Sequence, residues 1–215
     1  MIASRPTMAT KKTTKKAPPA HHKAIFRHLC EQWTDSVKVV RMTASSTPVK
    51  QDIACFVGWP ESGLTVYSTI GLSDHGGHEL ACVSASKNKS FSKVVFDLAE
   101  MVIDERRVLK AGVVFEKLVA QYYTRANASS LLISKAAPEG ISIPQLKMGR
   151  KTVSWLFGWP LTGDEFVARE NEGAKVVETA LRGLDLAAVA NLGRDTAEGV
   201  PEFDPWTAPN QGSSA

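Results

Sequence analysis

The sequence predicts a single α+β domain, and three observations carry that prediction. Its 215 residues are 43% hydrophobic and 22% charged, ordinary values for one globular domain with a sizeable core. Its apolar residues follow two periods: short runs rich in β-branched and aromatic residues, and longer stretches with apolar positions three or four apart. Two short runs, IACFVGW at 53–59 and LTVYSTIGL at 64–72, flank Pro60-Glu61-Ser62-Gly63. That turn composition makes them a hairpin, and so part of an antiparallel sheet.

The elements follow in order. Residues 1–21 form a basic tail: KKTTKKAPPAHHK is rich in Lys, Thr and Pro and poor in apolar residues, which predicts disorder. Met8 is a second candidate start. The folded domain is expected over 22–192. HKAIFRHLCEQW sets Ile25, Phe26, Leu29 and Trp33 on one helical face. VKVVRM at 37–42 is a strand, followed by the hairpin. HELACVSAS at 78–86 is a further strand, antiparallel to the one before it across a short connection. A helix is predicted over 92–106 from Val94, Val95, Leu98, Met101 and Val102. Residues 113–123 fit either a helix or a short strand at Gly112–Phe115. SSLLIS at 129–134 and TVSWLFGW at 152–159 are strands, and the second is apolar enough to be central. Beyond Leu192, three prolines and many small polar residues predict an irregular tail over 193–215, with Phe203 and Trp206 packing back onto the domain.

FVGWPESG at 56–63 and FGWPLTGDEF at 157–166 look like a repeat. Their continuations differ, so a shared strand-ending Trp-Pro is the better reading, since Pro cannot continue a ladder. In the second copy Thr162 and Glu165 are spaced for a capping box, with Leu161 and Phe166 as a hydrophobic staple. Asp164 and Glu165 suit the positive end of the helix dipole. The helix is predicted to run over 163–182 and to stop at Gly183.

Charge and composition exclude several classes. Residues 1–28 hold seven basic residues and no acid, which leaves 19 basic against 22 acidic residues over 29–215, a net charge of −3. The basicity belongs to the tail. It lacks interleaved aromatics, which argues against nucleic-acid binding. No apolar run is long enough to span a membrane, and no apolar segment follows the basic N-terminus as a secretory signal would require. Cys30, Cys55 and Cys82 stand alone within apolar segments, which suits buried thiols in a reducing cytoplasm. There is no phosphate-loop or dinucleotide fingerprint, no G-x-S-x-G, no H-E-x-x-H and no paired C-x-x-C.

One cluster invites chemistry. Asp74, His75 and His78, with Cys82 four residues on, could supply metal ligands or the base of a metal-dependent hydrolase. The spacing matches no strong zinc pattern and no nucleophile is marked, so no metal, cofactor or catalytic residue is expected. His21 and His22, beside the tail, are taken as solvated.

The order of motifs resembles the suppressor-of-fused-like domain family. YSTIGLSDH at 67–75 and HELACVSAS at 78–86 are similar to its Thr-x-Gly-[Leu/Met]-Ser strand and the Glu-Leu strand that follows. The helix at 92–106 falls where the family places one, and KAGVVF at 110–115 resembles its Gly-x-x-Phe segment. SSLLISKAAP and VSWLFGWPLTGDEFVARENEGAKVVETAL resemble its closing strand, Pro-[Leu/Ile]-Thr-x-x-Glu and a helix with an inner Glu-Gly. The loop after GLSDH is shorter here than in many members. The resemblance implies a mixed, mostly antiparallel sheet with flanking helices, and no enzyme activity. It implies a cytoplasmic protein-binding module: in bacterial stand-alone members an immunity protein that neutralises a cognate toxin, otherwise a regulatory domain with another target. Binding residues concentrate in loops on a rigid scaffold. The expected partner-binding set is therefore Trp59 and Glu61 at one turn, and Asp74, His75 and Glu79 at another, with Asp164 and Glu165 at the helix start.

Overall fold

Alternation decides which strands lie inside. In β8 (Lys151–Thr162), Trp155, Phe157, Trp159 and Leu161 pack into the core on one face of the sheet, and Leu156 into the core on the other. A strand apolar on both faces must be covered on both. The computed structural model, which describes residues 18–33, 37–44 and 49–200, shows how.

The sheet also contains β1 (Lys38–Thr43), β2 (Lys50–Val57), β3 (Leu64–Ile70), β4 (His78–Ala85), β5 (Val114–Phe115), β6 (Ala128–Ser134) and β7 (Leu146–Met148). Its strand order is β1-β2-β3-β4-β8-β6-β5, with β7 paired to the start of β8. All pairings are antiparallel except β4 with β8, whose parallel register runs from His78 opposite Ser154 to Cys82 opposite Gly158. Helices α1 (Ala20–Gln32), α4 (Gly163–Glu172), α5 (Ala174–Arg182) and α6 (Leu186–Ala190) contribute to one core, with Phe56, Val66, Phe157 and Trp159. Helix α3 (Phe91–Ile103) contributes to the other, with Ile53, Tyr67, Leu80 and Leu156. Burial pushes the Cys55 thiol up to about 11 and the Cys82 thiol up to about 12, so both behave as apolar filling. At Gly158 the packing leaves no room: an added Cβ would lie 2.6 Å from Cys82 Sγ and 2.9 Å from Leu131 Cδ2. No helix among the described residues is long and apolar enough to cross a membrane.

The fold is thus α+β with a mixed, mostly antiparallel sheet and helices on both faces, as the sequence predicts. Several elements differ from expectation. Pro160 does not end β8, which continues to Thr162. Beyond Gly158 the strand keeps β6 as its neighbour while its pairing with β4 has stopped, and Pro is tolerated at such a one-sided position. The helix expected over 163–182 breaks at Gly173, whose φ of 92° and ψ of 162° belong to a region open essentially to glycine alone. The capping box at Thr162 and Glu165 is present as predicted. Helix α3 stops at Ile103, and Arg106 beyond it has φ 55°. Residues 113–123 form the short strand β5 and turns, not a helix. The connection between β3 and β4 holds a one-turn helix, α2 (Ser73–Gly76).

The stretch after residue 192 has no regular structure as far as 200, yet it is part of the packing. Leu192, Arg194 and Ala197 are buried. Phe203, Trp206, Met8 and the basic tail up to residue 17 lie outside the described residues.

Candidate functional site

The two ends of the sheet present different chemistry. At one end β3 turns into β4 through Gly71-Leu72-Ser73-Asp74-His75-Gly76-Gly77. A tight turn leaves backbone N–H groups without ladder partners, and buried donors must be satisfied. The Glu79 carboxylate meets that need. It accepts from Gly71 N at 2.9 Å, from Leu72 N and Ser73 N at 3.1 Å each, and from Thr69 Oγ1 at 2.6 Å. Glu79 is fully buried. The expectation that it lies on the surface as a partner contact is therefore corrected: its carboxylate organises the turn from beneath.

Asp74 and His75 do stand exposed on that turn. Asp74 gathers three cationic or imidazole partners from distant elements. Its Oδ2 meets His21 Nε2 at 2.7 Å and His22 Nε2 at 3.1 Å, both on α1, while its Oδ1 accepts from Lys151 Nζ at 2.5 Å. Lys151 arrives because β8 runs parallel to β4 and starts beside the turn; three residues further along β8, His78 Nδ1 lies 2.8 Å from Ser154 Oγ. Partial burial pushes the Asp74 carboxyl upward, but the bonds from Lys151, His21 and His22 outweigh it and hold it well below the usual carboxylate range.

The opposite end carries the β2–β3 hairpin turn and the start of α4. Glu61 is exposed at the turn, and Val57 at the end of β2 is 58% exposed, one of three large apolar side chains that stand out among the described residues. Trp59 is half-buried, stacked on Trp33 with ring centroids 4.9 Å apart. Asp164 is half-buried and accepts from Thr196 Oγ1 at 3.0 Å. Glu165 is fully buried, so its expected role as a surface contact is corrected as well. Its carboxylate accepts from Thr162 N at 2.9 Å, Ala197 N at 2.8 Å and Arg194 Nη2 at 2.8 Å, with Arg194 Nη1 on its other oxygen. Arg194 also donates to Pro160 O at 2.9 Å. This clasp ties the segment after α6 to the end of β8.

The seven residues predicted to bind a partner therefore divide. Because β8 is parallel to β4, its start lies at the Asp74 end and its finish, Thr162, at the hairpin end. Asp164 and Glu165 thus sit with Trp59 and Glu61, and not with Asp74, His75 and Glu79. The metal cluster weighed from the sequence does not assemble either. Cys82 is four strand residues from His78, about 13 Å along the chain, and lies in the core. Among the described residues, the group of three potential ligands is instead His21, His22 and Asp74. The expectation of two solvated histidines gives way to two histidines docked on a carboxylate more than fifty positions away. The adjacent pair was visible in the sequence; its partner was not.

Three comparisons place the chain among known proteins. The profile of the suppressor of fused protein (SUFU) family matches residues 47–195. Immunity protein YqcF of Bacillus subtilis (strain 168) is 22% identical over 175 residues, covering 77% of this chain and 91% of that protein. A suppressor of fused homolog from Neisseria gonorrhoeae FA 1090 superposes with a TM-score of 0.63 at 15% identity, over 82% of this chain and 96% of that one. A chain of the Sufu–Fu complex superposes with a TM-score of 0.62 at 16% identity, over 84% of this chain and 93% of that one.

Proposed function

The chain belongs to the suppressor of fused family, and we propose that it is a non-catalytic protein-binding module that serves as an immunity protein, binding and neutralising a cognate bacterial toxin in the cytoplasm. The observation that carries this reading is the similarity to immunity protein YqcF, which extends over most of both chains. The chemistry of the fold supports it. Glu79 and Glu165, the two carboxylates best shielded from water, are each occupied by four hydrogen-bond donors that belong to turns and helix ends. They hold loops in place, so neither is free to act on a substrate.

Of the predicted contacts, the hairpin end is the face assigned to the toxin. Trp59, Glu61 and Asp164 combine an aromatic ring and two carboxylates, and Val57 adds an exposed apolar residue. Aromatic anchors with a polar rim are the usual make-up of a tight interface. At the other end, Asp74 is already engaged by Lys151 and two histidines, which leaves its charge less available to a partner. The net −3 of residues 29–215 suits a basic toxin.

The test is co-expression with the toxin candidates encoded beside this gene. Wild type is expected to restore growth. A Val57→Asp/Glu61→Lys variant with an unchanged melt is expected to lose protection. Full protection by that variant would remove the hairpin end from the interface. Failure of the wild type to bind or neutralise any neighbouring product would remove the immunity reading itself.

A further inference from the structure

We propose that His21, His22 and Asp74 form a binding site for one divalent transition-metal ion, best matched by zinc, which fastens α1 to the turn between β3 and β4. The donor set is two imidazole nitrogens and one carboxylate oxygen, and their ligand atoms all lie within 4.8 Å of one another. Imidazole donors favour zinc and its neighbours over calcium or magnesium, which take oxygen.

Several features point beyond an ordinary ion pair. Both histidines approach through the same atom, Nε2, and converge on a single oxygen, Asp74 Oδ2, at 2.7 and 3.1 Å. Their rings stand edge to face, 82° apart with centroids 4.4 Å apart, so the two nitrogens reach the carboxylate from different directions. Tetrahedral zinc with bonds of about 2.0–2.1 Å holds its ligand atoms roughly 3.3 Å apart. The two nitrogen–oxygen spacings would widen by about 0.6 and 0.2 Å to reach it. The carboxylate's other oxygen is held by Lys151 at 2.5 Å. A ligating carboxylate is commonly steadied in this way by an outer donor, which here fixes Oδ2 toward the histidines.

The backbone also makes room for the site. Gly71 has φ +98°, and a Cβ there would sit 2.3 Å from His22 Nε2. Any larger residue would push the ligand nitrogen away. His21, His22 and Asp74 retain 36%, 21% and 32% side-chain exposure, so water can complete the coordination. With three protein ligands and one water, the ion would join two elements that are far apart in the sequence.

The experiment uses the untagged full chain, freed of metal by chelation. Calorimetry with zinc chloride is expected to show one ion per chain. The thermal midpoint is expected to rise by about 5–10 °C when zinc exceeds its dissociation constant a hundredfold. Asp74→Asn and His22→Gln should each weaken binding about tenfold or more, whereas His75→Gln/His78→Gln should bind like wild type. Should Asp74→Asn fail to fold, His21→Gln takes its place. The proposal is overturned by absent saturable binding, by binding that survives both ligand substitutions, or by binding that depends on His75 and His78. A chain that binds no zinc but loses stability in Asp74→Asn would show a salt-bridged clasp and no metal site.

Discussion

Thr162 and Glu165 close the start of α4 on each other: Glu165 N donates to Thr162 Oγ1 at 3.4 Å, and Thr162 N donates back to the Glu165 carboxylate at 2.9 Å. The first bond is long. Its loss in Thr162→Ala should cost about 1 kcal/mol, read as a lower denaturant midpoint; an unchanged midpoint would show that the carboxylate alone holds the cap. Arg194 is a different case. It is 7% exposed and supplies two of the donors to a carboxylate that sees no solvent. Removing one member of a buried pair strands the other, at a cost of about 3–5 kcal/mol. Arg194→Leu should therefore destabilise several times more than Thr162→Ala in the same denaturation assay, and Glu165→Leu/Arg194→Leu should recover part of the loss. A double variant worse than the single one would show that Glu165 acts mainly through Thr162 N and Ala197 N.

The segment after α6 extends the same reasoning to whole elements. Chains ending after residue 200 and after residue 192 are expected to part company: the first keeps the clasp, while the second lacks Arg194 and Ala197 and should melt at least 5 °C lower, by roughly 2–4 °C per kcal/mol lost. Equal melts would show that the clasp contributes nothing net. Composition alone could not place this boundary, because a Pro- and Gly-rich stretch looks the same whether loose or pinned by one buried arginine. The central strands were legible, since their apolar residues are needed on both faces wherever the neighbours fall. Pro160 departs from expectation because its cost depends on whether a strand lies on its donor side, which sequence does not state. The break at Gly173 leaves no mark on the pattern, because the apolar period continues through it from Phe166 to Leu181 although its backbone turns sharply. Glu79 and Glu165 stand at a turn and a helix start, where binding residues concentrate, and nothing in the sequence marks them as buried. The backbone donors that hold them inside come from turns whose geometry is fixed by the tertiary fold. For the same reason His21 and His22 could be noticed but not assigned.

Across the whole molecule, Asp74 joins α1, the β3–β4 turn and the start of β8 through one carboxylate. Its folded-state value is lowered from an ordinary value of about 3.9. Its contribution is therefore complete above about pH 4 and fades as pH falls further, through the folded value. Wild type and Asp74→Asn should melt apart at neutral pH and draw together only as pH falls from about 4 toward the lowered folded-state value; a gap that stays constant down to acid pH would mean that the charge is not what stabilises the junction. The strand order has one more consequence, which concerns time. Among the described residues β8 is the last strand to be synthesised, yet it occupies the middle of the sheet between β4 and β6. Until it leaves the ribosome, both neighbours offer open edges, and neither face can complete its core. A nascent chain halted before Thr162 should be digested readily by protease, and resistance should appear only once the strand and its arginine clasp have emerged. Stepwise resistance from earlier halts would show independent folding of the first hairpin. With late insertion, the cell gains nothing from a half-made copy, and the wait for a working molecule is set by translation past β8 and Arg194.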